Sequence, residues 1–71
     1  MNRQEIAKKL KVLRRNRTIA EVADACNISN SALAMYEAGE RIPRDEIKVK
    51  LARYYKTTVE KLFFTSKAHK M

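Results

Sequence analysis

The chain predicts an all-α fold of five short helices around one small core, and three observations predict it. Apolar residues recur at three- and four-residue intervals from Ile6 to Phe63, the spacing that lines one face of a helix, and neither strand alternation nor an internal repeat interrupts them. Gly and Pro occur once each and hydrophobic residues make up 45% of the chain, the composition of a compact bundle rather than a disordered segment. Two short amphipathic helices meet across the break at Cys26-Asn27-Ile28, each opened by its own cap. At 71 residues the chain is one domain near the lower size limit, able to bury only about 60% of its unfolded surface.

Each element follows from its own spacing. Ile6, Leu10 and Leu13 with Ala7 give residues 3–14 one buried stripe and a basic outer face, with Asn2 and Glu5 spaced to cap the start. Thr18 and Glu21 form a capping box for a second helix that buries Val22, Ala23 and Cys26. Asn27 stands at the sharp turn, where asparagine tolerates the left-handed conformation best among non-glycine residues. Ser29 caps a third helix, with Ile28 and Leu33 spaced as a hydrophobic staple and Leu33 and Tyr36 inward, and Gly39 ends it. Pro43 or Arg44 opens a fourth, with Asp45 and Glu46 at its positive end and Ile47, Leu51 and Tyr54 inside. A box at Thr57 and Glu60, or a cap shifted to Thr58, starts a short fifth that buries Val59, Leu62 and Phe63. Neighbours on a helix lie about 100° apart, so one member of Tyr54/Tyr55 and one of Phe63/Phe64 is expected at the surface. Residues 1–64 thus read as one domain and residues 65–71 as a flexible tail.

A net charge of +8 points to a polyanionic partner, because clustered lysine and arginine displace condensed counterions from phosphate. Its layout says more. Residues 1–17 hold seven Lys or Arg against one acid, residues 18–40 hold none against four acids, and residues 41–56 hold six against two. If the central helices enter a groove, the flanks supply the backbone attraction and the middle reads bases with neutral side chains. One cysteine, Cys26, and one histidine, His69, provide neither a disulfide nor a zinc site, so no metal or cofactor is expected and a reducing, cytoplasmic setting follows. The apolar stretches are too short to span a bilayer, and Met1-Asn2-Arg3 leads into a charged helix without an apolar signal region. Neither a nucleophile paired with a base nor a phosphate-cradling glycine loop is visible, which argues against an enzyme.

With the break and its caps in view, the stretch Ile28-Ser29-Asn30-Ser31-Ala32-Leu33-Ala34-Met35-Tyr36-Glu37-Ala38-Gly39-Glu40-Arg41-Ile42-Pro43 resembles the recognition helix and E-x-G-x-R-x-P turn of phage-repressor and Cro-type helix-turn-helix domains, the xenobiotic-response-element family. Val22-Ala23 and Val59-Glu60-Lys61-Leu62-Phe63 extend the match over residues 6–64. The resemblance implies a five-helix bundle of the lambda-repressor-like DNA-binding type, double-stranded DNA as partner, a homodimer on two half-sites about one helical turn apart, and control of transcription, as a repressor. It also implies a pair between Arg14 and Glu37. The chain departs from the family at Ile19, where glutamine is common, at Lys56, where glycine is common, and in a turn before Thr18 about two residues shorter than in many relatives.

By position, Asn30, Ser31, Ala34 and Met35 are the base-reading candidates. The Asn30 amide can accept and donate to the N6/N7 edge of adenine, a contact worth about 1–3 kcal/mol of discrimination, while Ala34 and Met35 suit thymine methyl groups and predict an A·T-leaning half-site. Thr18 and Ile19 at a helix N-terminus, Arg41 and Arg44 in the loop, and Arg15, Arg17 and Lys48 beside them are the phosphate candidates. About six neutralised phosphates predict a log-log salt slope of about −5. Leu62 and Phe64 are the candidate dimer contact. Against these stand plainer roles: Asn30 as a first-turn surface residue, Met35 and Cys26 as packing, Glu21 and Asp24 as solvated charges, and Lys8, Lys9 and Lys11 as a solvated face. No small-molecule ligand is evident. A protein-interaction module, such as an antitoxin or anti-repressor docking through the third helix, is the alternative function. A cationic membrane-surface helix fits less well, because residues 3–14 lack an aromatic-rich apolar face.

Overall fold

The computed structural model describes residues 2–64, and within them the chain forms five helices with no strand. They are α1 (Arg3–Arg14), α2 (Ile19–Ala25), α3 (Asn30–Glu37), α4 (Asp45–Tyr54) and α5, a π-helical turn at Glu60–Phe64. The expected flexible tail, residues 65–71, lies outside the described residues.

The helix starts are set by side-chain oxygens accepting from orphan backbone N–H groups. Asn2 Oδ1 accepts from Gln4 and Glu5 at 2.8 and 3.2 Å, Thr18 Oγ1 from Glu21 at 3.0 Å, and Ser29 Oγ from Ala32 at 3.0 Å. Only the Thr18 half of the expected box forms. At α5 the cap is Thr58, whose Oγ1 accepts from the Lys61 N–H at 3.0 Å. Arg44 is the N-cap of α4 and makes no side-chain cap, leaving Asp45 and Glu46 to complement the helix dipole.

Three helices end in the same Schellman pattern, in which the two N–H groups past the cap return to carbonyls of the last turn. Ile28 N–H donates to Ala23, Glu40 N–H to Met35 and Thr57 N–H to Ala52, at 2.9, 3.0 and 2.9 Å. The motif needs a left-handed residue at its pivot, here Asn27 (φ 59°), Gly39 (φ 76°) and Lys56 (φ 58°). Lys56 adopts that conformation with a Cβ, at a cost of about 1 kcal/mol relative to glycine. The end of α1 differs. Arg15 has φ 57° and ψ −124°, and Arg17 N–H donates to Arg14 C=O at 3.1 Å, so Arg15 holds the first central position of a type II′ turn, normally a glycine position.

The core joins all five helices: Ile6, Leu10, Val22, Ala23, Cys26, Leu33, Tyr36, Leu51, Ala52, Leu62 and Phe63 are buried. Helix α3 packs against α1 and α2, and α1 also meets α5. Ala23, with no exposed surface, keeps the α2 and α3 backbones close. Phe63 is buried and Phe64 exposed, but Tyr54 and Tyr55 do not divide as expected. Both are half-buried, edge to face with centroids 5.1 Å apart, because a cation from the α1–α2 turn covers the two rings. Among the described residues, no helix is long and apolar enough to cross a membrane.

Candidate nucleic-acid interface

Helix α3 turns Leu33, Tyr36 and Glu37 inward, which leaves Asn30, Ser31, Ala34 and Met35 on the opposite arc. The first three are exposed and Met35 is 38% exposed. The structure therefore brings the four base-reading candidates onto one solvent-facing surface, two neutral polar groups followed by two apolar ones. None carries a charge, and among the described residues none of the four side chains has a hydrogen bond that would have to break before it met a base edge.

What fixes that surface is an ion pair beneath it. Glu37, the last residue of α3, is 3% exposed and accepts from Arg14 Nε at 2.8 Å (Oε2) and from Arg14 Nη2 at 2.9 Å (Oε1). The fork-to-fork geometry defines orientation as well as attraction. The same guanidinium donates through Nη1 to the Arg17 carbonyl at 2.6 Å, so one side chain ties α1 to the end of α3 and to the turn entering α2. Hydrogen bonding to Glu37 holds the Arg14 pKa above its ordinary value against the opposing effect of desolvation. Arg3 Nη1 adds a contact to the Glu40 carbonyl at 3.5 Å, past the end of α3.

The phosphate candidates separate into two groups. Thr18 is exposed at the start of α2, with its hydroxyl already serving as the cap, while Ile19 packs its side chain on the core and offers only backbone N–H. Arg15, Arg41 and Arg44 are exposed. Arg41 and Arg44 border a polar cleft of about 310 Å³ together with Asn27, Tyr36, Lys50 and one carboxylate, Glu46, so the helix-turn-helix break, the α3–α4 loop and one edge of α4 converge there with cations in excess. Lys50 was not among the sequence candidates. The signal for it is the three-residue spacing of Arg44, Ile47 and Lys50, which sets them along one helix edge.

Two candidates are placed otherwise. Lys48 is 6% exposed; its Nζ lies 3.4 Å from Asp45 Oδ1 and 5.1 Å from the Phe64 ring centroid, so its charge is held inside the domain and is not presented to a strand. Arg17 stacks its guanidinium 5.2 Å from the Tyr54 centroid and 5.6 Å from that of Tyr55, a cation–π arrangement. Hydrogen bonding with Tyr54 is the main cause of its raised pKa. Leu62 also needs correction as a dimer contact, since at 2% exposure it belongs to the core, whereas Phe64 is 51% exposed.

Beneath Arg17, burial pushes the Tyr55 pKa up to about 12, with the Glu37 charge as the next cause, and the Tyr55 hydroxyl oxygen has no hydrogen-bond partner among the described residues. Cys26 is a buried free thiol whose pKa burial also raises, which makes it packing rather than a nucleophile.

A family model described as helix-turn-helix matches residues 6–62, most of the chain. No curated protein and no solved structure showed a match.

Proposed function

The chain belongs to the helix-turn-helix family of Cro/C1 type, a non-catalytic class of DNA-binding domain, and on that premise we propose that it is an intracellular, sequence-specific regulator of transcription, a repressor that reads the major groove with residues 29–37 as a homodimer. The observation that carries this reading is the uncharged arc of Asn30, Ser31, Ala34 and Met35 set between cationic segments. Neutral groups there can be selective for base edges, while Arg15, Arg41, Arg44 and Lys50 meet the strands. The rigid attachment of α3 through Arg14 and Glu37 supports it, because direct readout depends on a fixed approach angle.

Phe64 is the proposed twofold contact, without Leu62. An exposed aromatic at the last described turn can meet its own copy across an axis, and sedimentation that finds only monomer for both the parent chain and Phe64→Asp would remove that part.

The test of the whole is selection of duplexes from a random pool followed by sequencing. The expected product is an inverted repeat with A·T-leaning half-sites centred about one helical turn apart. A pool that returns no enriched sequence, or G-rich half-sites, overturns the assignment of α3 residues.

A further inference from the structure

On the side of the bundle where α1 meets α5, an open groove of about 350 Å³ has an apolar floor and a cationic rim. The floor is Val12, Leu13 and Leu62, and the rim is Lys8, Lys9 and Lys61. Val12 is 72% exposed, the most exposed large hydrophobic residue described, although its helix has a well-formed buried stripe elsewhere. Among the described residues no carboxylate lines the groove, and none of the proposed DNA-contacting residues does. Lys9 Nζ donates to the Lys61 carbonyl at 3.2 Å, which fixes the two elements bearing the rim relative to one another.

We propose that this groove docks an acidic amphipathic segment of a partner protein, with apolar side chains on Val12 and Leu13 and carboxylates against the lysine rim. Its chemistry is that of a helix or extended segment laid in a groove, where apolar anchors supply affinity and flanking charge supplies selectivity. Charge complementarity selects this occupant over the others. Residues 65–71 carry Lys67, Lys70 and His69 and no acidic side chain, so the lysine rim repels them. A second copy approaching through the same groove sets lysine against lysine. A free small ligand is poorly enclosed, because sites of that kind are concave and bury most of the ligand surface. The proposal uses no residue of the DNA-reading arc and stands apart from that assignment.

The test is a titration of the isotope-labelled full chain with a synthetic amphipathic peptide that carries leucine at i, i+3, i+4 and i+7 and glutamate at the flanking positions. Val12, Leu13 and Leu62 methyl signals are expected to shift while Asn30 to Met35 amides stay still, and the same peptide with lysine in place of glutamate is expected not to bind. Val12→Glu and Lys8→Glu, both at exposed positions, are expected to keep the dispersed spectrum and weaken binding about tenfold or more. Equal binding of both peptides, shifts centred on α3, groove signals that move with protein concentration alone, or the absence of any shift each overturns the proposal.

Discussion

Replacing Arg14 with methionine is the most informative single perturbation of this fold, because the two partners of its ion pair are buried unequally. The Glu37 side chain is 4% accessible and that of Arg14 23%. Losing Arg14 leaves a carboxylate with almost no access to water, whereas losing Glu37 leaves a guanidinium that can turn toward solvent and keep its bond to the Arg17 carbonyl at 2.6 Å. Removing one member of a buried pair typically costs about 3–5 kcal/mol, and Arg14→Met belongs in that range. Glu37→Leu belongs lower, at about 1–2 kcal/mol, the cost of losing hydrogen bonds to a charged group that water can partly replace. The double variant removes both charges and is expected within about 1–2 kcal/mol of the parent, since an apolar pair of similar volume often replaces a buried ion pair at little net cost. A domain of this size has roughly 3–10 kcal/mol of total stability, so Arg14→Met is expected to lose a third or more of it and to unfold at a much lower urea midpoint than the parent. Urea unfolding followed by circular dichroism completes the double-mutant cycle. Equal losses in the two single variants, or a double variant less stable than Arg14→Met, would refute the argument from unequal burial.

Other consequences follow from the turns, the buried phenol and the cationic edge. Arg15→Gly relieves the positive φ of 57° and is expected to add about 1 kcal/mol, raising the melting temperature by roughly 4–8 °C; a lower melting temperature contradicts the strain. Tyr55→Phe removes a buried hydroxyl that has no hydrogen-bond partner among the described residues and is expected to be neutral or stabilising near pH 7. In the parent, the unfolded phenol ionises near pH 10 and the folded one only near about 12, so the unfolded state binds fewer protons between those values and stability falls as pH rises. Below pH 10 the phenol is neutral in both states and its ionisation costs nothing; across the window the loss amounts to about 1–2 kcal/mol after screening of a half-buried ring. Tyr55→Phe is expected to have a shallower alkaline decline in denaturant midpoint, and an unchanged decline removes the assignment. Arg44→Ala and Lys50→Ala are each expected to weaken specific and random duplexes alike and to reduce the salt slope by about 0.9, whereas Lys48→Ala leaves the slope unchanged and lowers stability.

Much of this fold was legible because its signals are local. Asn2, Thr18 and Ser29 cap helices through groups three residues away or nearer, and Asn27 and Gly39 stand at left-handed pivots that few other residues tolerate. The exposed arc of α3 follows from where Leu33 and Tyr36 must go. The phase of α4 was harder to place from spacing, because a shift of one or two positions turns a side chain by 100° or more, and that moved the cationic edge from Lys48 to Lys50. The stacking of Arg17 on Tyr54 and Tyr55 joins residues far apart in the chain and has no local signature. The type II′ turn at Arg15 has none either, since the residue that normally marks such a turn is absent. Leu62 illustrates a different limit: a single apolar residue beside an exposed aromatic belongs equally well to a core or to an interface until packing decides.

The most direct test of the account compares the parent chain with Asn30→Ala in titrations against the selected duplex and a scrambled one at fixed salt. The arrangement of α3 predicts that the variant binds the selected duplex about 10- to 100-fold more weakly, the equivalent of about 1–3 kcal/mol, with affinity for the scrambled duplex unchanged. Equal weakening on both duplexes, or none on either, contradicts the claim that the neutral arc opened by Ser29 reads the bases.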